Sequence, residues 1–356
     1  MIIIVALALL VASAFITRQL VRNSHRFSQM DIPNERSSHL TPTPRGGGIA
    51  FVTTSLVGFL LLLLNNSLDA AEILALCCAG AIVAIAGHLD DRQKISGAMV
   101  RLIFHALGAI ILIVGIGFPS QISLFDRTVN TGVIGSILGV LYLVWLLNLF
   151  NFMDGTDGIA AIEAIFVCIA GAILNYHVLS DINLSTASII LATSTLGFLL
   201  YNWSPAKIFM GDSGSMIMGF LAALMTIYFL QANERTTGVL LLHIDAMVFA
   251  FAVLIIPVLD SVRVVFIRVF ILKRSPFSAD RNHIHHSLLD IGLKHSQATL
   301  ALVLVNVFFI LITYYLNDYL RAMYLLITIS LLALAFSQVP FLIKNHQKKI
   351  GRKKVV

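Results

Sequence analysis

The sequence predicts an all-α, polytopic integral membrane protein with about 11 transmembrane helices, built as a single domain over residues 1–343 and a basic tail at 344–356. Three observations predict it. Of 356 residues, 58% are hydrophobic and only 12% charged, where a soluble domain carries about 25% charged. Mean hydropathy is +0.92, and apolar runs of roughly 18 residues or more recur along the chain, close to the length that crosses the hydrocarbon core. The net charge of +6 sits on residues that flank these runs and do not interleave with aromatics, which excludes nucleic acid as the partner and indicates membrane lipids instead.

Taken in order, the first run, Met1 to Thr17, has no basic segment before it and is followed by Arg18, Arg22 and Arg26. It reads as a retained span, not a cleaved signal peptide. Further spans are expected near 46–64, 71–89, 98–117, 133–149, 158–178, 184–202, 213–231, 243–263, 297–316 and 320–343. With the N-terminus outside and the C-terminus cytoplasmic, the inner segments hold 21 of the 24 lysines and arginines, leaving Arg127, Arg235 and Arg321 outside. The positive-inside rule selects that orientation. Pro257 interrupts the ninth run, which continues past Asp260 and Arg263 to about Lys273, so a broken helix ending in an interfacial piece is expected there, where a lipid could enter. The tail from Lys344 to Lys354 is expected to rest on anionic headgroups. Cys77, Cys78 and Cys168 lie in apolar stretches without metal-ligand spacing, so neither a disulfide nor cysteine chemistry is expected.

The unusual acids and histidines cluster on the cytoplasmic ends of the spans, independently of the lysines and arginines that set the orientation. Ionisable groups at membrane depth are costly and default to functional candidates. Asp90 and Asp91 end the third span; adjacent residues on a helix point about 100° apart, which suggests a division between metal contact and proton or phosphate handling. Asn151, Asp154 and Asp157, at i, i+3 and i+6, would share one face if helical, and Gly155 and Gly158 would let a ligand approach. Asp212 opens the eighth span in a Gly-Asp-Ser-Gly-Ser turn, where it either holds a hard cation bridging phosphate oxygens or, with Ser213, simply caps the helix. In the longest inner loop, Arg281, His283, His285 and His286 suit a pyrophosphate better than zinc, since no cysteine joins them. Lys94 and Arg101 are candidate phosphate contacts. The prolines and glycines of residues 36–48 make a turn with bare backbone, with His39 and Arg45 in reach; the segment lacks the pattern of an ATP- or NAD-binding loop.

These clusters, in this order, resemble the polyprenyl-phosphate N-acetylhexosamine-1-phosphate transferase superfamily, glycosyltransferase family 4. The resemblance runs from about residue 31 to 292 and rests on PTPRGGG, the pair Asp90 and Asp91, NxxNxxDGxDG from Asn148 to Gly158, GDSGS around Asp212, and SPFSADRNHIHH from Ser275 to His286. It implies a bacterial inner-membrane enzyme with its active site on the cytoplasmic face. It further implies Mg²⁺, with Mn²⁺ as its substitute, at Asp212, essential acids at Asp90 and Asp91, and a nucleotide-sugar site at Asn151, Asp154 and Asp157; Asp90 is the candidate second metal ligand from another cluster. Histidines of the HIHH segment are linked to substrate binding. Ile284 separates His283 from His285, where the peptidoglycan enzymes have three successive histidines, and residues 31–48 look more like the O-antigen-initiating branch.

The expected reaction is transfer of an N-acetylhexosamine 1-phosphate from a UDP-sugar to undecaprenyl phosphate, releasing UMP and initiating O-antigen or a related surface glycan. Asp90 or Asp91 would position or deprotonate the acceptor phosphate, and a homodimer is compatible with this reading. The rival from another class is a proton-coupled transporter. Such a carrier would place charges near the bilayer midplane and show inverted repeats, whereas here the charges lie at one face, Asp245 and Asp260, the only ones that argue otherwise, fall near span ends, and no repeat is visible. A non-catalytic scaffold would leave the acid clusters without a cause.

Overall fold

The computed structural model describes residues 2–24, 29–33, 39, 41–64, 70–92, 94, 97–124, 127–177, 182–235, 246–276, 278 and 280–353. The chain runs α1 (Ile2–Arg22), β1 (Gln29–Asp31), β2 (Thr43–Arg45), α2 (Gly48–Leu64), α3 (Ala70–Asp91), α4 (Ala98–Ile116), β3 (Gln121–Leu124), β4 (Arg127–Asn130) and α5 (Gly132–Met153). It continues with α6 (Ile159–His177), α7 (Ile182–Asn202), α8 (Asp212–Arg235), α9 (Ala246–Val253), α10 (Ile255–Phe266), α11 (Ile284–Asp290), α12 (His295–Asn317) and α13 (Ala322–Lys353).

Among the described residues, eight helices are long and apolar enough to cross a bilayer, α9 with α10 makes a ninth bent by 78°, and α2 and α6 are shorter apolar helices. The protein is thus a multi-pass α-helical membrane protein. Leu7, Val11 and Phe15 of α1 and Leu304 and Leu311 of α12 are exposed, as lipid-facing side chains are where no water has to be avoided. Polar groups turn inward instead, and α8, the most buried of the long helices, forms the centre against α2, α3, α5 and α6.

Small residues permit this packing. A Cβ on Gly48 would stand 2.3 Å from Gly214 Cα, one on Gly87 would stand 2.4 Å from Ser213 Cα, and one on Gly219 would stand 2.4 Å from the Leu146 carbonyl. Helices in lipid gain their association from such close approach, not from hydrophobic exclusion. Of the glycines expected to bare the backbone at residues 46–48, Gly46 has a positive φ and open space where a Cβ would be, while Gly47 and Gly48 donate to the Phe209 and Met210 carbonyls and dock the start of α2 on the segment before α8.

Two short antiparallel hairpins stand outside the all-helical expectation. β1 pairs with β2, Met30 opposite Pro44, and β3 pairs with β4, Ile122 opposite Val129. Strands this short satisfy backbone groups at the ends of the bundle, where the helical ladder stops. The break expected at Pro257 occurs at Leu254, between α9 and α10. Pro257 has no N–H for the carbonyl four residues earlier and its ring crowds that turn, so the bend falls on its N-terminal side. Beyond it the chain stays helical to Ile271. Asp245 and residues 34–38 and 40 lie outside the described residues.

Candidate active site

Four chain segments meet at one end of the bundle. α3 brings Asp90 and Asp91 on its last turn, α5 brings Asn151 and ends before Asp154, α8 begins at Asp212, and β2 delivers Arg45. Asp91 accepts the backbone N–H of Asp212 at 2.8 Å, that of Ser213 at 3.1 Å and the Ser213 hydroxyl at 3.1 Å. It thereby caps α8 from a different helix, satisfying donors that a helix start leaves open and placing negative charge at the positive end of the dipole. The cap of α8 is thus neither Asp212 nor Ser213.

Arg45 Nε lies 3.0 Å from Asp91 Oδ1, and its Nη2 donates to Asp212 Oδ1. Asn151 Nδ2 donates to the same Asp212 oxygen at 2.9 Å and to Ser215 Oγ at 3.1 Å. Asp90 pairs with Arg101 at 2.8 Å, and its carboxyl is within hydrogen-bonding reach of Asp212. Two carboxyls so close cannot both ionise without a proton or a cation to separate them. Among the described residues, Asp90, Asp91, Asp154 and Asp212 face two guanidinium groups, Arg45 and Arg101, and an oxygen-rich site with residual negative charge has the donor set a hard divalent cation takes.

The stretch after α5 is not helical. Asp154 ends the helix, Gly155 N–H turns back to the Met153 carbonyl, and α6 begins only at Ile159. Asn151, Asp154 and Asp157 therefore do not share one helix face. A Cβ on Gly155 would lie 2.5 Å from His285 Nε2, so glycine there lets the turn pack on that imidazole. Asp157 is tied to the scaffold: its Oδ2 accepts the Ala206 N–H at 3.1 Å and its carbonyl accepts Thr299 Oγ1 at 3.0 Å. Asp154 and Asp157 both line a cavity of about 210 Å³ with Arg45, His39 and His286. The Asp154 carboxyl is pushed up to about 7, first by burial and then by the Asp212, Asp91 and Asp157 charges, with Arg45 opposing.

Across the cavity, Asp260 of α10 lies 2.8 Å from His283 Nδ1 and accepts the Ile284 N–H at 2.9 Å, so it caps α11. Arg268, only 3% exposed, donates to Asp280 Oδ2 at 2.8 Å and to the Pro276 carbonyl at 2.7 Å, and lies 3.4 Å from His283 Nε2. Ligand atoms of Asp260, His283 and His285 all lie within 4.8 Å of one another. Asp260 and both His283 nitrogens are already engaged, one of them beside a guanidinium, so this trio reads as a clamp and not as a metal site. Burial, with Arg281 adding to it, pushes His286 down to about 4; burial also pushes His285 well below its ordinary value, with His286 as the next cause. Burial thus favours the uncharged imidazole at both positions, a form that offers hydrogen bonds to a ligand.

The structure thus gathers Arg45, Asp90, Asp91, Arg101, Asn151, Asp154 and Asp212, with His39 and His286 at the cavity. His39 Nε2 lies 3.4 Å from the Asp31 carbonyl, and its ring packs edge-on to Phe209. Lys94 is exposed, and Arg281 pairs at 3.3 Å with Asp290, which also holds Lys344 at 2.6 Å; neither lines the cavity. Sequence reasoning passed over Arg268, counted only as an inner positive charge, and two groups inside apolar runs, Glu163 and His105. His105 Nδ1 lies 3.3 Å from Asn148 Nδ2, and its Nε2 lies 3.3 Å from Met216 Sδ. The cost of ionisable groups in a span was the signal that would have found both.

Comparison with known proteins gives the chain's family. The family model described as Glycosyl transferase family 4 matches residues 73–230. The chain is 31% identical over 328 residues to a decaprenyl-phosphate N-acetylglucosaminephosphotransferase of Mycobacterium tuberculosis, covering 85% of this chain and 79% of that one. It is 28% identical over 297 residues to a Bacillus subtilis protein named "Probable undecaprenyl-phosphate N-acetylglucosaminyl 1-phosphate transferase", covering 83% and 79%. Against the undecaprenyl-phosphate alpha-N-acetylglucosaminyl 1-phosphate transferase of Escherichia coli K12 it is 29% identical over 283 residues, covering 77% and 73%. The chain belongs to glycosyl transferase family 4, the polyprenyl-phosphate N-acetylhexosamine-1-phosphate transferase superfamily, and is a membrane-embedded sugar-phosphate transferase.

Proposed function

We propose that the protein transfers N-acetylglucosamine 1-phosphate from UDP-N-acetylglucosamine to a polyprenyl phosphate such as undecaprenyl phosphate, at the cytoplasmic face of a bacterial inner membrane, and so initiates a surface glycan such as O-antigen. The observation that carries this reading is the meeting of Asp90, Asp154 and Asp212 with Arg45 beside one cavity, in a chain whose relatives bear transferase names with this sugar. The transporter reading finds no comparable support.

Asp212, with Asp90, would hold Mg²⁺, which when bound supplies Lewis-acid neutralisation of pyrophosphate charge. Asn151 fixes the Asp212 carboxylate, and Asp91 fixes the helix start that carries it. Arg45 and Arg101 supply the positive charge that phosphoryl transfer needs around the transferred group. Asp91 is occupied by the α8 amides and Arg45, so it acts as support and not as a base. Asp154, poised near neutrality in the cavity wall, is the better placed group to accept a proton from the acceptor phosphate.

The test is release of labelled UMP from UDP-N-acetylglucosamine by purified protein, with and without polyprenyl phosphate and Mg²⁺. Release that requires both is expected, and Asp212→Asn should abolish it while the protein stays monodisperse in detergent. Release that is indifferent to acceptor and metal would exclude the reaction.

A further inference from the structure

Glu163 lies in α6, five residues beyond Gly158, and is 1% exposed. Its Oε2 accepts from Asn306 Nδ2 at 3.0 Å, while its Oε1 is buried without a hydrogen-bond partner. The same Nδ2 donates to the Val253 carbonyl at 2.9 Å, and Asn306 Oδ1 is also buried and unpartnered. Val253 carries the carbonyl that Pro257 cannot serve, at the bend between α9 and α10. Both amide protons of Asn306 are therefore committed to acceptors, which fixes its orientation. Two acceptor oxygens remain, and among the described residues no donor faces them. An ionised Glu163 would be a buried charge with one neutral hydrogen bond, an arrangement far costlier than a protonated one.

We infer that Glu163 is held as a neutral carboxylic acid in a two-bond pair with Asn306, and that this pair positions the bend of α9 and α10 against the 154–158 turn. A proton on Glu163 Oε1, donated to Asn306 Oδ1, satisfies both orphaned oxygens at once. Seven residues earlier on α12, Thr299 binds the Asp157 carbonyl, so α12 grips α6 at the turn and again two helical turns deeper. Seven residues beyond Val253 stands Asp260, which holds His283. The pair therefore joins the cavity wall bearing Asp154 to the wall bearing the histidines. Its positioning role rests on the transferase reading above; its protonation state does not.

Infrared difference spectroscopy of the purified full chain against Glu163→Gln, at neutral pH, tests the first half. The carbonyl stretch of a protonated carboxylic acid is expected in the wild type and lost in the variant, and absence of that difference overturns the proposal. Gln reproduces both bonds, so Glu163→Gln is expected to fold and keep kcat close to wild type; failure to recover it folded counts against the pair. Glu163→Leu and Asn306→Leu are expected to lower kcat by about tenfold or more with donor KM little changed, the pattern of misplacement without lost binding. Equal losses in Gln and Leu variants, or wild-type kcat in Asn306→Leu, would overturn the positioning role. A wild-type protein inactive on every donor would instead defeat the transferase reading and leave the infrared result to stand by itself.

Discussion

Asp91 and Asp154 carry the same functional group and are put to opposite use by their surroundings. Asp91 is surrounded by donors: two amides, a hydroxyl and Arg45. Replacing it by alanine removes a helix cap worth about 1 kcal/mol and leaves the Arg45 guanidinium short of a partner. Asp91→Ala should therefore lower the unfolding temperature in detergent as well as activity, whereas Asp212→Asn should lose activity alone. Asp154 faces other carboxylates, and its pKa rises from an ordinary 3.8 to about 7. A carboxyl that binds its proton more tightly folded than unfolded contributes stability below about pH 4 and loses it as pH rises through about 7. Asp154→Asn should flatten that part of the stability curve, read as unfolding temperature against pH; an unchanged slope would show that Asp154 titrates normally. Both aspartates were legible as candidates in the sequence. Their division of roles was not, because it depends on which amides and charges other helices present.

At the scale of elements, glycine spacing fixes how closely the helices meet. Gly48 on α2 and Gly87 on α3 both face the first turn of α8, with backbone atoms where a Cβ would be. Gly48→Ala and Gly87→Ala should each push Asp212 out of register, with overpacking costs of about 1–3 kcal/mol; a thermal-stability assay on purified protein reads the loss, and wild-type stability in both variants would contradict the packing. The apolar stretches placed each apolar helix but not its ends: α1 runs on to Arg22, α5 to Met153 and α13 to Lys353, past the apolar run in each case, since a helical ladder satisfies its own backbone in lipid and continues into the interface. The bend near Pro257 was equally visible in the missing N–H. The two hairpins and the non-helical turn at 154–158 were hidden: the i, i+3, i+6 spacing suits a helix face, but contacts with Ala206, Thr299 and His285 from distant segments override it.

For the whole molecule, the acids and arginines of the cavity come from both halves of the chain and meet at one end of the bundle, opposite the β3–β4 hairpin. If the positive-inside rule places that end in the cytoplasm, a cysteine substituted at Lys273 in a background lacking the native thiols should react with a membrane-impermeant reagent only in inverted vesicles. One at Arg127 should react only from the outer side. The reverse pattern would move the cavity to the other face and remove access to a cytoplasmic nucleotide sugar.

The amino-acid sequence by itself determined the all-helical membrane class, the approximate places of the apolar helices and the set of acids worth watching, because hydropathy and motif order are properties of neighbours along the chain. Only the tertiary structure decided that Asp91 caps α8, that Asp157 and His283 are tied to the scaffold, that His285 and His286 are buried, and that Glu163 pairs with Asn306. Those outcomes are set by desolvation and by hydrogen-bond partners more than a hundred residues away in most cases, and no local pattern encodes such distances.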